Sequence, residues 1–141
     1  MDPLSITVSS IALAKVVIKG AKTLQELLGA REDIQSLVDE VTQLNRVFED
    51  AQVLLGERKK HLQLPQNMID AGVSILSQAQ NRLEKLRKLL GGCIKQASES
   101  GKKLKPVYIA WLRSRKEIKK VQQDLMDARL GLSTFWGGVQ V

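Results

Sequence analysis

Residues 107–135 read VYIAWLRSRKEIKKVQQDLMDARLGLSTF, and the order of apolar side chains in this stretch decides the fold. Val107, Trp111, Ser114, Ile118, Val121, Leu125, Ala128, Leu132 and Phe135 recur in alternating steps of three and four, with Ser114 the one polar member. That spacing puts every member on one face of an α-helix, whose period is about 3.6 residues, whereas a strand would alternate in twos. Arg113, Arg115, Lys116, Lys119, Lys120 and Asp124 fall off the stripe. Such a helix needs other helices to cover its apolar face.

Working outward, the same rule is met twice more. Ile34, Leu37, Val41, Leu44, Phe48, Ala51 and Leu55 form one seam; Ile69, Gly72, Leu76, Ala79, Leu83, Leu86, Leu90 and Cys93 form another. Pro3, Pro65 and Pro106 stand where helices can begin, because a first-turn amide has no intrahelical acceptor to lose. Gly29, Gly56 and the Gly91-Gly92 pair stand where helices can end in a left-handed cap. The spacing predicts helices over 3–28, 31–55, 66–91 and 104–135, the longest connection running from Gly91 to Lys103. The expected fold is all-α: one domain over residues 1–141, an antiparallel up-down-up-down four-helix bundle with an apolar N-terminal helix. The Lys102, Lys103, Lys105 loop then lies at one pole, and Arg58, Lys59 and Lys60 lie at the other, beside the N-terminus.

The composition agrees with helices, since 43% of the residues are apolar but only 4% aromatic. Net charge is +7 and uneven: residues 1–64 hold 8 Lys/Arg against 9 Asp/Glu, whereas residues 82–120 hold 13 against 3. An excess of that sign attracts phosphate, on lipid headgroups or on nucleic acid. The run is nine Lys to four Arg, with only Tyr108 and Trp111 for stacking, and matches no nucleic-acid-binding motif, so no specific nucleic-acid partner is expected.

The first helix differs in kind. No charge occurs between Asp2 and Lys15. Ile6, Ser10, Leu13, Val17, Gly20, Leu24 and Leu27 form its seam, and Leu4, Val8, Ile11, Ala12, Val16 and Ile18 spread apolar surface beyond it, with Lys15, Lys19 and Lys22 in a stripe. A secretory signal is disfavoured by the acidic start, and a permanent span by Lys15 and Lys19. A helix of this kind is either the central helix of a bundle or one that faces something other than water.

Catalysis is not expected. There is one histidine and one cysteine, no Gly-rich phosphate loop and no metal-ligand spacing, so neither a cofactor nor a metal is predicted. His61 reads as a solvated loop residue, and Cys93 as a small apolar residue at a helix end in a reducing, intracellular protein.

The opening Met1-Asp2-Pro3-Leu4-Ser5-Ile6-Thr7-Val8-Ser9-Ser10-Ile11-Ala12-Leu13 resembles the start of the fungal HeLo-like domains, which stand at the N-termini of STAND (NOD-like) receptors and their cell-death effectors. Tyr108-Ile109-Ala110-Trp111-Leu112, Lys116-Glu117-Ile118 and the stretch Leu125 to Leu132 resemble that family's last helix. The resemblance covers essentially the whole chain. It implies a domain at the N-terminal part of a longer protein, held inactive until an amyloid-signalling or nucleotide-binding receptor partner oligomerises it. It would then move from the cytoplasm to the plasma membrane and execute cell death in fungal incompatibility and innate immunity.

The residues expected to carry this are Leu4, Ile6, Val8, Ile11, Leu13, Val16 and Val17 as the membrane-engaging face, mostly covered in the resting bundle. Lys60, Lys102, Lys103 and Lys105 are the expected contacts to anionic membrane lipids, at roughly 1 kcal/mol per basic residue, with Trp111 as a core anchor. Self-association supplies avidity. The competing readings are a non-lytic oligomerisation adaptor of a STAND receptor and a nonspecific polyanion-binding bundle.

Overall fold

The computed structural model describes residues 2–29, 31–61, 66–99, 101 and 103–139, those of 57–61 and 136–139 for their backbone alone. They form an all-α four-helix bundle of α1 (Pro3–Leu28), α2 (Glu32–His61), α3 (Gln66–Glu99) and α4 (Leu104–Val139).

α1 begins where local chemistry requires it. Asp2 is extended, its Oδ1 accepts from the Leu4 N–H at 3.3 Å, and Pro3 enters the first turn with its backbone already near helical φ. It ends at Gly29, whose φ of +88° and ψ of 172° suit glycine alone, and whose N–H donates to the Gln25 carbonyl at 2.9 Å. α2 opens with Glu32 and Asp33 against the positive end of its dipole.

Of the glycines expected to stop helices, only Gly29 does so. Gly56 lies inside α2, which continues to His61, so His61 is in a last helical turn rather than a loop. α3 runs through Gly91 and Gly92 to Glu99, and Cys93 is therefore interior to a helix, not at its end. The reason is tertiary. Beyond the glycines, Cys93 and Ala97 extend the buried seam, while Leu90 and Ile94 close on Gly20 of α1. An interior glycine costs about 1 kcal/mol relative to alanine, and burial returns about 0.8 kcal/mol per CH2, so the seam prevails. The left-handed residue comes later, at Gly101 with φ +67°. Pro106 sits in the first turn of α4; Pro65 lies outside the described residues.

Consecutive helices alternate in direction, as an up-down-up-down bundle requires, and their lateral order differs from their order in the chain. α1 packs on α2 and α3, α4 packs on α3 and α2, α1 meets α4 only marginally, and among the described residues the backbones of α2 and α3 do not approach each other. Going round the bundle the order is α1, α2, α4, α3, and the α2–α3 link spans a diagonal. Cross-helix pairs give the directions. Ser9 meets Gln80 and Gly20 meets Leu90, so α1 and α3 run parallel. Asp33 meets Trp111, Ser36 meets Gln122 and Glu40 meets Arg129, so α2 and α4 also run parallel. Arg82 to Asp124 and Lys85 to Glu117 mark α3 and α4 as antiparallel.

The seams of α2, α3 and α4 face the centre, where Phe48, Leu83, Leu86, Trp111 and Leu125 are at most 1% exposed. On α1 the buried side is turned relative to the expected seam: Thr7, Ser10, Ile11, Ala14, Val17, Ala21 and Leu24 are buried, whereas Leu13 and Leu27 lie at its margin. Because α1 is wedged between α2 and α3, small residues such as Ala14 and Ala21 let it approach both.

Substituting Gly91→Ala should stabilise the protein by about 1 kcal/mol, since the site is helical with open space around it. Gly29→Ala should destabilise it by about 1–3 kcal/mol because of its φ. Urea unfolding of the two variants checks both signs, and equal effects would contradict this assignment of the helix ends.

Candidate membrane-engaging helix and basic pole

Among the described residues, α1 is the one helix long and apolar enough to cross a bilayer, with a mean hydropathy of 1.5 over 18 residues. Only 33% of that window is buried. The helix is therefore not the enclosed centre of the bundle. Its outward side carries Ser5, Val8, Ser9, Ala12 and Val16, followed by Lys15, Lys19 and Lys22 toward its C-terminal end.

The expected membrane-engaging residues divide between two environments. Ile6, Ile11 and Val17 are in the core, and Leu4 and Leu13 pack at its edge. Val8 and Val16 are 47% and 52% exposed, the two members of the mostly covered set that reach the surface. A helix touched by two neighbours has an outer arc that neither reaches, and these valines lie on it.

Lys103 and Lys105 are exposed at the start of α4, while Lys102 and the side chain of Lys60 lie outside the described residues. The alternating directions put the start of α4, the end of α3 and the α1–α2 turn at one pole. The N-terminus of α1 is at the other pole, about 39 Å away for 26 residues at 1.5 Å rise. Leu104, Tyr108 and Leu112, one helical turn apart in succession, are exposed beside Lys105, Arg113 and Lys116. This second apolar stripe was not singled out from the sequence, where the buried seam draws the eye. Its four-residue spacing off that seam is the signal that reveals it.

The pole is braced by Asp33. The Trp111 indole Nε1 donates to Asp33 Oδ2 at 3.3 Å, and the Nε atoms of Arg115 and Arg31 lie 3.3 and 3.4 Å from its two oxygens. Arg31 also lies over the Tyr108 ring, 5.2 Å from its centroid. Trp111 itself is 1% exposed, so this residue anchors the core and joins α2 to α4 through its polar edge. Further along, Arg129 Nε donates to Glu40 Oε2 at 2.6 Å, a second tie between the same helices.

Cys93 is buried; burial pushes its thiol above the ordinary value of 9.0, against a smaller opposing pull from the hydrogen bond with Ser114. A buried thiol held protonated is a poor nucleophile, so the geometry gives Cys93 a packing role.

Compared with protein-family models, curated proteins and solved structures, the chain matches none of them. The resemblance to HeLo-like domains therefore rests on the quoted residues.

Asp33→Ala should cost about 2 kcal/mol, because it strands a buried indole N–H and removes the shared partner of two arginines. Thermal or urea unfolding measures this, and a change below about 0.5 kcal/mol would show the brace to be idle. For Cys93, a thiol raised in the folded state contributes stability below the unfolded value near 9.0, lost as pH rises through the higher folded value. Alkylation by iodoacetamide at pH 8 should be at least about tenfold slower in the folded protein than in denaturant.

Proposed function

We propose that this protein is a membrane-targeting helical-bundle module in which α1 is the element that enters the bilayer and oligomerisation is the trigger. The observation that carries the reading is the character of α1: long and apolar enough to span, yet with two-thirds of its apolar window unburied. Val8, Ala12 and Val16, four residues apart in succession, form one uncharged outward arc on that helix. Here Val8 and Val16 face outward at no benefit to folding.

The direction of the helices supplies a route. The C-terminal end of α1, with Lys22 near it and a hinge at Gly29, lies at the same pole as Lys103 and Lys105, and Lys19 and Lys15 follow back toward mid-helix. If α1 pivots about Gly29, its apolar half extends beyond that pole while Lys15, Lys19 and Lys22 stay near the headgroups. Each lysine would cost roughly 2.5–3.5 kcal/mol at the bilayer centre, so snorkelling toward the interface matters. Leaving the bundle also gives up the buried face of Ile6, Ile11, Ala14, Val17 and Leu24. One copy has no reason to make that exchange. A cluster of copies presents many such helices to one surface, and exposed seams can pair with one another. In the setting that the HeLo-like resemblance implies, the trigger is a receptor partner, the lipids are anionic, and the outcome is plasma-membrane damage and cell death.

Deleting residues 2–18 would not test this cleanly, since it removes buried core residues along with the outward face. Val8→Glu with Val16→Glu changes only exposed positions. Fused to a forced-oligomerising tag, the parent protein should release dye from anionic liposomes, and the double variant should lose most of that release while its thermal midpoint stays within a few degrees. Equal release from both would overturn the role given to α1.

A further inference from the structure

The pole that carries Lys103 and Lys105 also contains a cleft between the end of α3 and the start of α4, about 580 Å³ in volume. Its walls combine two chemistries. Cys93, Pro106 and Ile109 supply an apolar floor, Lys105 and Arg113 supply positive charge alongside Lys103, and no acidic residue lines it. The size falls within the roughly 300–1,000 Å³ of small-molecule sites.

Two features of the surrounding chain break local rules in ways that a bound anion would explain. The first turn of α4 contains no acidic residue. Instead Lys103 and Lys105 stand at the positive end of the helix dipole, where cations are unfavourable and anions are favoured. Among the described residues, Lys105 and Arg113 have no acidic side chain within ion-pair distance. The second feature is Gly91-Gly92, a pair of interior helix glycines with no positive φ and nothing within 4 Å to exclude a larger side chain. Neither backbone geometry nor packing asks for glycine there. Gly92 lines the cleft, and a side chain on it would narrow the space beside the cations. Departures from local preference without structural compensation are expected at functional sites.

From these observations we infer that the α3–α4 cleft binds an anionic amphiphile, its phosphate or carboxylate head against Lys105, Arg113 and the N-terminus of α4, its alkyl chain along Cys93, Pro106 and Ile109. The head alone would leave the apolar floor wet, and an uncharged chain would leave Lys105, Arg113 and the helix end uncompensated. The ligand class is thus a single-headed anion with a short or partly inserted hydrocarbon tail. It can come from two sources: a free monoacyl molecule in solution, or a phospholipid reached from the membrane surface by way of exposed Leu104, Tyr108 and Leu112. The site does not require α1 to enter a bilayer.

The test uses the whole chain with octyl phosphate below its critical micelle concentration, measured by calorimetry and by thermal shift. Octyl phosphate should bind and raise the midpoint; inorganic phosphate and octyl glucoside at the same concentration should bind at least about tenfold more weakly, because each offers half of the chemistry. Lys105→Glu with Arg113→Glu, both exposed, should weaken binding by at least about tenfold with the fold intact. Gly92→Leu should raise the midpoint of the free protein yet reduce octyl phosphate binding, separating the cleft from folding. A parallel arm compares vesicles of phosphatidylcholine with vesicles containing phosphatidic acid. Charge-dependent binding to the latter identifies the membrane as a source, and binding of octyl phosphate without it identifies a free ligand. The inference is overturned if octyl phosphate does not bind, if inorganic phosphate binds as well, or if Gly92→Leu and the charge reversals leave affinity unchanged. The Val8→Glu, Val16→Glu protein should bind octyl phosphate like its parent, so failure of the α1 proposal and failure of this one give different results.

Discussion

The wedging of α1 between α2 and α3 is the constraint on which the rest of the arrangement depends. By packing on both, α1 holds their backbones apart: among the described residues α2 and α3 face each other only across the core, and α4 closes the bundle from the opposite side. The apolar stripe of each helix must then face a common centre, where Leu24, Phe48, Leu83 and Trp111 meet with almost no exposed surface. Burial on this scale is what carries α3 across two helix-weakening glycines, since the seam beyond them still has α1 and α4 to cover it.

The same placement distributes charge and hydrophobicity over the surface. A helix with two neighbours keeps an outer arc, and on α1 that arc is apolar in its first half and lysine-bearing in its second. Alternating directions gather the lysine end of α1, the start of α2, the end of α3 and the start of α4 at one pole. There Asp33 gathers Trp111, Arg31 and Arg115, so the junction of α2 with α4 is braced through polar atoms at the edge of the core. Beyond this brace, among the described residues, Lys105 and Arg113 have no acidic side chain within ion-pair distance, which leaves these two available to an anion. The proposed lipid-facing function and the proposed ligand cleft thus draw on one electrostatic pole, although the first depends on α1 and the second on α3 and α4.

Much of this was legible in the chain. The three-and-four spacing of Ile34 to Leu55, Leu76 to Cys93 and Val107 to Phe135 defined helices and the buried face of each, because helical period and burial are coupled at every residue. The Asp2-Pro3 start and the Gly29 stop were equally readable, being local hydrogen-bond and φ requirements. Gly56 and Gly91-Gly92 were misread because glycine permits a helix end without compelling one. That Val8 and Val16 would be the exposed members of a mostly covered set was not legible, because apolarity alone does not say which side of a helix its neighbours occupy. Leu104, Tyr108 and Leu112 escaped notice because a short exposed stripe is overshadowed by the longer seam on the same helix.

By itself, then, the amino-acid order determined an all-α bundle of four amphipathic helices with an apolar first helix and a basic second half, since periodicity, caps and charge are properties of neighbouring residues. Tertiary structure alone decided the lateral order of the helices, the exposed arc of α1, the cleft beside Gly92 and the convergence on Asp33. These depend on which seams fit against which across the bundle, a competition among surfaces far apart in the chain that no local pattern resolves.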